Sequence, residues 1–161
     1  AMGGYESDDA WEYVKELIAN IDGKICESSS AVYKGVSDGE YTVGLSYEDP
    51  CAQLVKDGAP VKIIYPKEGT VYLPASATIV KGCKNLDNAK LFMDFITSEE
   101  VQNIYGSTLT NRPVLKDAQT NDFMTPMSDI KVIEEDIPYV SEHKQEMVDK
   151  YTEIFTDLQS N

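Results

Sequence analysis

Helical and extended patterns take turns along this chain, separated by Gly and Pro turns, and that alternation restricts its fold more than any single motif does. Trp11, Val14, Leu17, Ile18 and Ile21 recur at helical spacing behind Ser7-Asp8-Asp9, a cap with an acidic first turn, and Gly23 marks the stop. A shorter helical pattern opens at Ser28-Ser29-Ser30, puts Val32 and Val36 on one side, and closes at Ser37-Asp38-Gly39. Residues 41–46 read as a strand, Tyr47-Glu48-Asp49 ends it, and Pro50 suits the first turn of a helix over 50–56. Residues 61–65 form a second β-rich run. A third, over 70–80, contains Pro74 and so cannot be one central strand throughout. Helices are predicted over 86–97, from a capping box at Thr97-x-x-Glu100 to residue 105, and over 141–159, with an irregular stretch at 106–129 and a strand at 130–133. Such alternation predicts an α/β protein with parallel pairing, because each parallel return crosses over through a helix.

Charge excludes whole classes of partner. The 161 residues carry 14 Lys+Arg against 28 Asp+Glu, a formal net charge of −14. Nucleic acid and anionic lipid both require a basic footprint, which this chain lacks. With 42% hydrophobic residues the chain is long enough for a globular core, and no apolar run reaches the length of about 20 residues needed to span a bilayer. Cys26, Cys51 and Cys83 lie far apart with no CxxC pair, so zinc is not expected; buried thiols, or one disulfide and one thiol, are the open readings. His143, the single histidine, falls in a charged stretch and reads as a solvated surface residue.

Three places carry usable chemistry. At Ser28, Ser29 and Ser30 the unpaired amides of a helix start favour an anion, and three hydroxyls can donate to it; equally, one serine caps the helix and the others are incidental. Tyr47, Glu48 and Asp49 follow a strand, at the sheet edge where α/β proteins bind ligands, and can receive an ammonium, hydroxyls or a hard cation. The plainer alternative has Asp49 capping the helix and Glu48 in solvent. Arg112, the single guanidinium, is available in Asn111-Arg112-Pro113 as an anion contact or as a clamp for its loop. No nucleophile has a visible base, no Gly-rich phosphate loop is present, and no metal spacing recurs, so neither a catalytic residue, a cofactor nor a resident metal is expected.

Several of these segments, taken in order, resemble the extracellular solute-binding proteins of ABC importers. Ser28-Ser29-Ser30-Ala31-Val32, residues 36–45, Tyr47-Glu48-Asp49-Pro50, Gly58-Ala59-Pro60-Val61, residues 66–71, residues 79–85, Ala89-Lys90-x-Phe92-x-Asp94-Phe95 and Asn111-Arg112-Pro113-Val114 carry the likeness. The group they resemble most is the type II binding-protein family of ferric-iron, phosphonate and sugar-phosphate binders. Members are normally much longer and begin with a secretory or lipoprotein signal. The resemblance therefore implies a C-terminal half with parts of both lobes: 1–4 a tag remnant, 5–72 a second-lobe segment, 73–128 a first-lobe segment, and 129–161 a return to the second lobe.

The resemblance further implies an extracellular, cell-surface or periplasmic location, an ABC permease as partner, and a small anionic or zwitterionic solute held in an interlobe cleft. Ser28, Ser29 and Ser30 would take the anionic oxygens; Glu48 or Asp49 would take an amine or hydroxyls. Ferric iron stays open, although the family's paired tyrosines are represented by Tyr47 alone. Two rival readings are a structural fragment that binds no solute and a metal-dependent phosphoester hydrolase using Glu48 and Asp49. Sheet edges left uncovered in such a half also lead us to expect pairing between two copies.

Overall fold

The computed structural model describes residues 3–160. Among them, α1 (Asp8–Asn20), α2 (Ser29–Ser37), α3 (Glu48–Lys56), α4 (Leu86–Ile96), α5 (Glu99–Ser107) and α6 (Ile137–Gln159) are helical, and β1 (Thr70–Val71) pairs with β2 (Val132–Ile133) in one small sheet. The expected α/β sheet is therefore corrected to a mostly helical chain with a minimal ladder. Residues 41–46 and 61–65 enter no ladder, and of 70–80 only Thr70 and Val71 do. Their side chains were read correctly as β-formers, but β-propensity measures the fit to a neighbouring pleated surface, and these runs meet none among the described residues. Val43 and Ile64 accordingly stand 78% exposed.

The chain divides into two compact units, one made of residues 1–27 and 133–161, the other of Ser28–Val132. The expected tag remnant at 1–4 falls partly outside the described residues; Gly4 is described, and its carbonyl accepts from Ser7 N at 3.2 Å.

In the first unit, α1 packs on α6. Ser7 caps α1 by accepting from Ala10 N at 3.3 Å, Asp8 and Asp9 face the positive end of the helix dipole, and Gly23 turns the chain at φ 61°. Helix α6 starts four residues earlier than the pattern predicted, because Asp136 caps it through Tyr139 N at 3.1 Å and Pro138 occupies its first turn, where a missing N–H costs nothing. His143 stays at the surface with its side chain 24% exposed, but it is packed as well: its ring stacks on Tyr5 at 4.5 Å, lies 4.7 Å from Tyr139, and its Nδ1 is 2.7 Å from Glu146. Trp11 donates its indole N–H to the Tyr5 carbonyl and lies under Lys150 Nζ at 5.0 Å.

In the second unit, Ser28 caps α2 by accepting from Ala31 N at 3.2 Å. After Gly39 the chain doubles back along that helix. Tyr41 covers Gly35, where a Cβ would come within 2.5 Å of the ring, and Gly44 meets Val32 and Val36, where a Cβ would fall 2.7 Å from a Val32 methyl. Helix α5 is capped by Ser98, which accepts from Val101 N at 3.4 Å, so the predicted capping box at Thr97 is shifted by one residue and Thr97 instead closes α4. Ala52, Val101, Met124 and Ile130 are the buried apolar residues here. Gln102, 4% exposed, ties the end of α4 to the following loop by donating to Ile96 O and accepting from Val114 N, both at 2.7 Å.

Candidate solute site

The backward path of 41–46 along α2 matters because it sets where α3 begins. Tyr41 lies against Gly35 and Gly44 against both Val32 and Val36, so residues 41–46 pack along α2 before Tyr47 opens α3. One helix start bears Ser28, Ser29 and Ser30, and the other Tyr47, Glu48 and Asp49.

Not all of these side chains are equally open. Ser28 Oγ is spent on its cap and on Ser30 Oγ, 2.9 Å away, while Ser29 is exposed. Tyr47 precedes α3 without capping it by its side chain and is 55% exposed. Glu48 and Asp49 open α3, which therefore starts two residues before Pro50. Asp49 Oδ1 accepts from Thr110 Oγ1 at 2.8 Å, and Thr110 is buried.

Glu48 and Arg112 form a two-pronged ion pair. Arg112 Nε donates to Glu48 Oε2 and Nη2 to Oε1, each at 2.6 Å, with side-chain exposures of 11% for the arginine and 20% for the glutamate. Nη2 also donates to the Thr125 carbonyl at 2.6 Å, and the Tyr65 hydroxyl donates to Glu48 Oε1. Partial burial together with that hydrogen bond to an anion pushes the Tyr65 hydroxyl up to about 12. Burial alone would lower the Arg112 pKa, but the bonds and charge of Glu48 outweigh it and raise it.

Sequence reasoning grouped Glu48 with Asp49 and named Arg112 apart from them; the fold joins Arg112 to Glu48. It missed Tyr65, Thr110 and Thr125. Tyr65 closes residues 61–65 just ahead of Pro66, as Tyr47 follows 41–46 ahead of Pro50, and that parallel was the available signal. Among the described residues no group of three His, Cys, Asp or Glu side chains gathers to hold a metal. No disulfide joins Cys26, Cys51 and Cys83, and burial raises the Cys51 thiol.

Against known proteins, the family model for the bacterial extracellular solute-binding proteins matches residues 3–131. The chain belongs to that family. Its members work outside the cytoplasm, which fixes the location of this chain as extracellular or periplasmic, and no helix among the described residues is long and apolar enough to cross a membrane. An uncharacterized protein of Haemophilus influenzae is 34% identical over 60% of this chain and 28% of its own length. A probable ABC transporter periplasmic-binding protein of Sinorhizobium fredii is 24% identical over 81% of this chain and 36% of its own. The spermidine/putrescine-binding periplasmic protein of Salmonella typhimurium is 23% identical over 65% of this chain and 29% of its own. The chain thus spans roughly a third of the curated relatives it matches. No solved structure matches it.

Proposed function

We propose that this solute-binding family member serves an ABC importer as its recognition component and takes a small anionic or zwitterionic solute, a phosphonate or sugar phosphate, in an interlobe cleft. The observation that supports the reading is that the starts of α2 and α3 offer first-turn amides suited to an anion, with the exposed Ser29 hydroxyl beside those of α2. Tyr47 and Asp49 flank them and would take hydroxyls or an amine.

Ferric iron is the weaker ligand in this reading. Both oxygens of Glu48 are held by Arg112, and one by Tyr65 as well, which leaves Tyr47 and Asp49 as a thin donor set for a hard cation. The same engagement of Glu48 weighs against a metal-dependent hydrolase, and the relatives whose names state a role are binding proteins. A permease partner, and pairing of two copies through the exposed runs around Val43 and Ile64, belong to the same proposal.

Calorimetry on the purified protein with methylphosphonate, a hexose phosphate and ferric citrate tests it. A phosphoryl ligand is expected to bind, and replacing Ser29 and Ser30 by Ala is expected to weaken it by about 1–3 kcal/mol, the usual cost of lost hydrogen bonds to a charged group. Ferric binding alone, or unchanged phosphoryl affinity in the double variant, overturns the assignment.

A further inference from the structure

We infer that residues 75–80 are an edge for pairing with a second copy of this chain, the two segments running antiparallel about a two-fold axis. This edge is distinct from the runs around Val43 and Ile64, and the pair is independent of the solute reading, whose failure would leave it untouched.

Residues 72–80 lie outside any ladder and are exposed throughout. Residues 73–79 make no hydrogen bond, main-chain or side-chain, among the described residues. The other two β-rich runs are not free in this way, since Tyr41 and Gly44 pack on α2 and Val61, Ile63 and Tyr65 are half-buried. Exposed edges are ordinarily guarded by charges or by proline. Here Pro74 guards only the first part and Lys81 stands past the end. Between them Ala75-Ser76-Ala77-Thr78-Ile79-Val80 has neither, and Val80 is 75% exposed. Unpaired backbone of this kind is completed by another strand. Charge identifies where that strand comes from. Gly69 to Val80 is the longest stretch of the sequence without a charged residue, in a chain of net charge −14. A basic partner is steered to acidic surface and finds no counter-charge along this run, whereas two copies, which repel each other elsewhere, meet here without opposing charges. The run is also complementary to itself. An antiparallel pair centred on Ala77 sets Ala75 opposite Ile79 and Ser76 opposite Thr78, small against large on one face and hydroxyl against hydroxyl on the other. So short a ladder is small beside a standard interface of about 800 Å² per partner, which makes the pair weak and dependent on salt to screen the acidic copies.

Sedimentation velocity on the purified protein, from about 5 to about 500 µM and at low and high salt, tests the pair, with amide exchange at both ends of the range. Wild type is expected to pass from monomer to dimer, more readily at high salt, and to gain protection at residues 75–80 as it does. Ala77→Asp and Ala77→Lys each put like charges face to face across the two-fold, so either variant alone is expected to pair roughly tenfold more weakly or worse. An equimolar mixture of the two sets opposite charges together and is expected to recover pairing to within about threefold of wild type, which no loss of folding can imitate. Ala77 is exposed and makes no hydrogen bond, so both variants should melt with wild type under dilute conditions. Wild type that stays monomeric at the highest concentration and salt, a dimer that both Ala77 variants leave unchanged, a mixture that fails to recover, or open-ended growth in place of a dimer each overturns the inference. A dimer lost in Val43→Lys or Ile64→Lys but kept in both Ala77 variants assigns the pairing to those other runs and overturns this edge alone.

Discussion

The two units hold themselves together by different physics. In the unit of residues 1–27 and 133–161, two amphipathic helices meet and their rim is sealed by rings: Tyr5 on His143, Tyr139 beside both, and Trp11 under Lys150. In the unit of Ser28–Val132, the long-range fastening is polar, with Glu48, Tyr65, Arg112 and Thr125 drawn from four separate segments into one cluster. Ring contacts weaken gradually as they are trimmed. A partly buried ion pair fails abruptly, because removing one member leaves the other without a counter-charge. The second unit therefore gains a defined geometry at α3 and is expected to respond more sharply than the first to a single substitution in its cluster.

The largest break in that comparison is Arg112→Met. Glu48 would lose two short charge-assisted bonds and keep only Tyr65, so the unfolding free energy is expected to fall by on the order of 2–3 kcal/mol. Amide exchange followed by mass spectrometry localises the effect: protection drops in α3 and in residues 108–126, while α1 and α6 keep theirs. Equal loss in both units would mean that they unfold as one and that the contrast drawn above is not energetic.

How much of this was legible in sequence divides along the same line. Helix α1 could be read to within a residue, since Ser7, the acidic pair and the apolar repeat are all local signals. The capping box at Thr97 failed by one position because Thr97 and Ser98 are both competent caps and only the packing of α4 on α5 chooses between them. The strands were misread for a deeper reason: residues 41–46 and 61–65 have β-forming side chains, but a ladder requires a neighbour, which no property of the run itself supplies. At the site, Glu48 and Arg112 were each visible as chemistry. Their pairing spans 64 residues and depends on how the loop after α5 closes on α3, so it could not be read from spacing. Thr110 and Thr125 contribute through burial and a backbone carbonyl, for which sequence has no signature.

A smaller effect sharpens the comparison through pH. Tyr65 has its pKa raised from 10.0 to about 12 in the fold, so the folded state holds its proton more tightly than the unfolded chain does. Its stabilisation is therefore complete below pH 10.0 and lost as the pH climbs toward about 12. Tyr65→Phe is expected to flatten that alkaline loss in urea titrations. Glu146 behaves oppositely, held below its usual 4.5 by hydrogen bonds to His143 and then Tyr5. Its contribution is present above 4.5 and disappears as the pH falls through the lowered value, which Trp11, the single tryptophan, reports by fluorescence. Tyr5 is also raised, by burial and by Glu146, so alkali reaches the first unit too; solvent around Tyr5 makes that limb the shallower of the two.

The smallest expected effect comes from Lys150. Its ammonium lies 5.0 Å from the centre of the Trp11 ring, close enough for attraction to the ring face but in a partly solvated place, so Lys150→Ala should cost about 0.5–1 kcal/mol. The loss mixes two things, the charge over the ring and the aliphatic stem that carries it. Lys150→Met separates them, since it keeps most of the stem and removes the charge. Thermal melts followed through Trp11 fluorescence should place the Met variant between wild type and Ala. A Met variant level with wild type would assign the contact to packing alone and make the first unit wholly apolar in its fastening, which would widen its contrast with the Arg112 cluster; a Met variant level with Ala would give it a charge-dependent element of its own and narrow it.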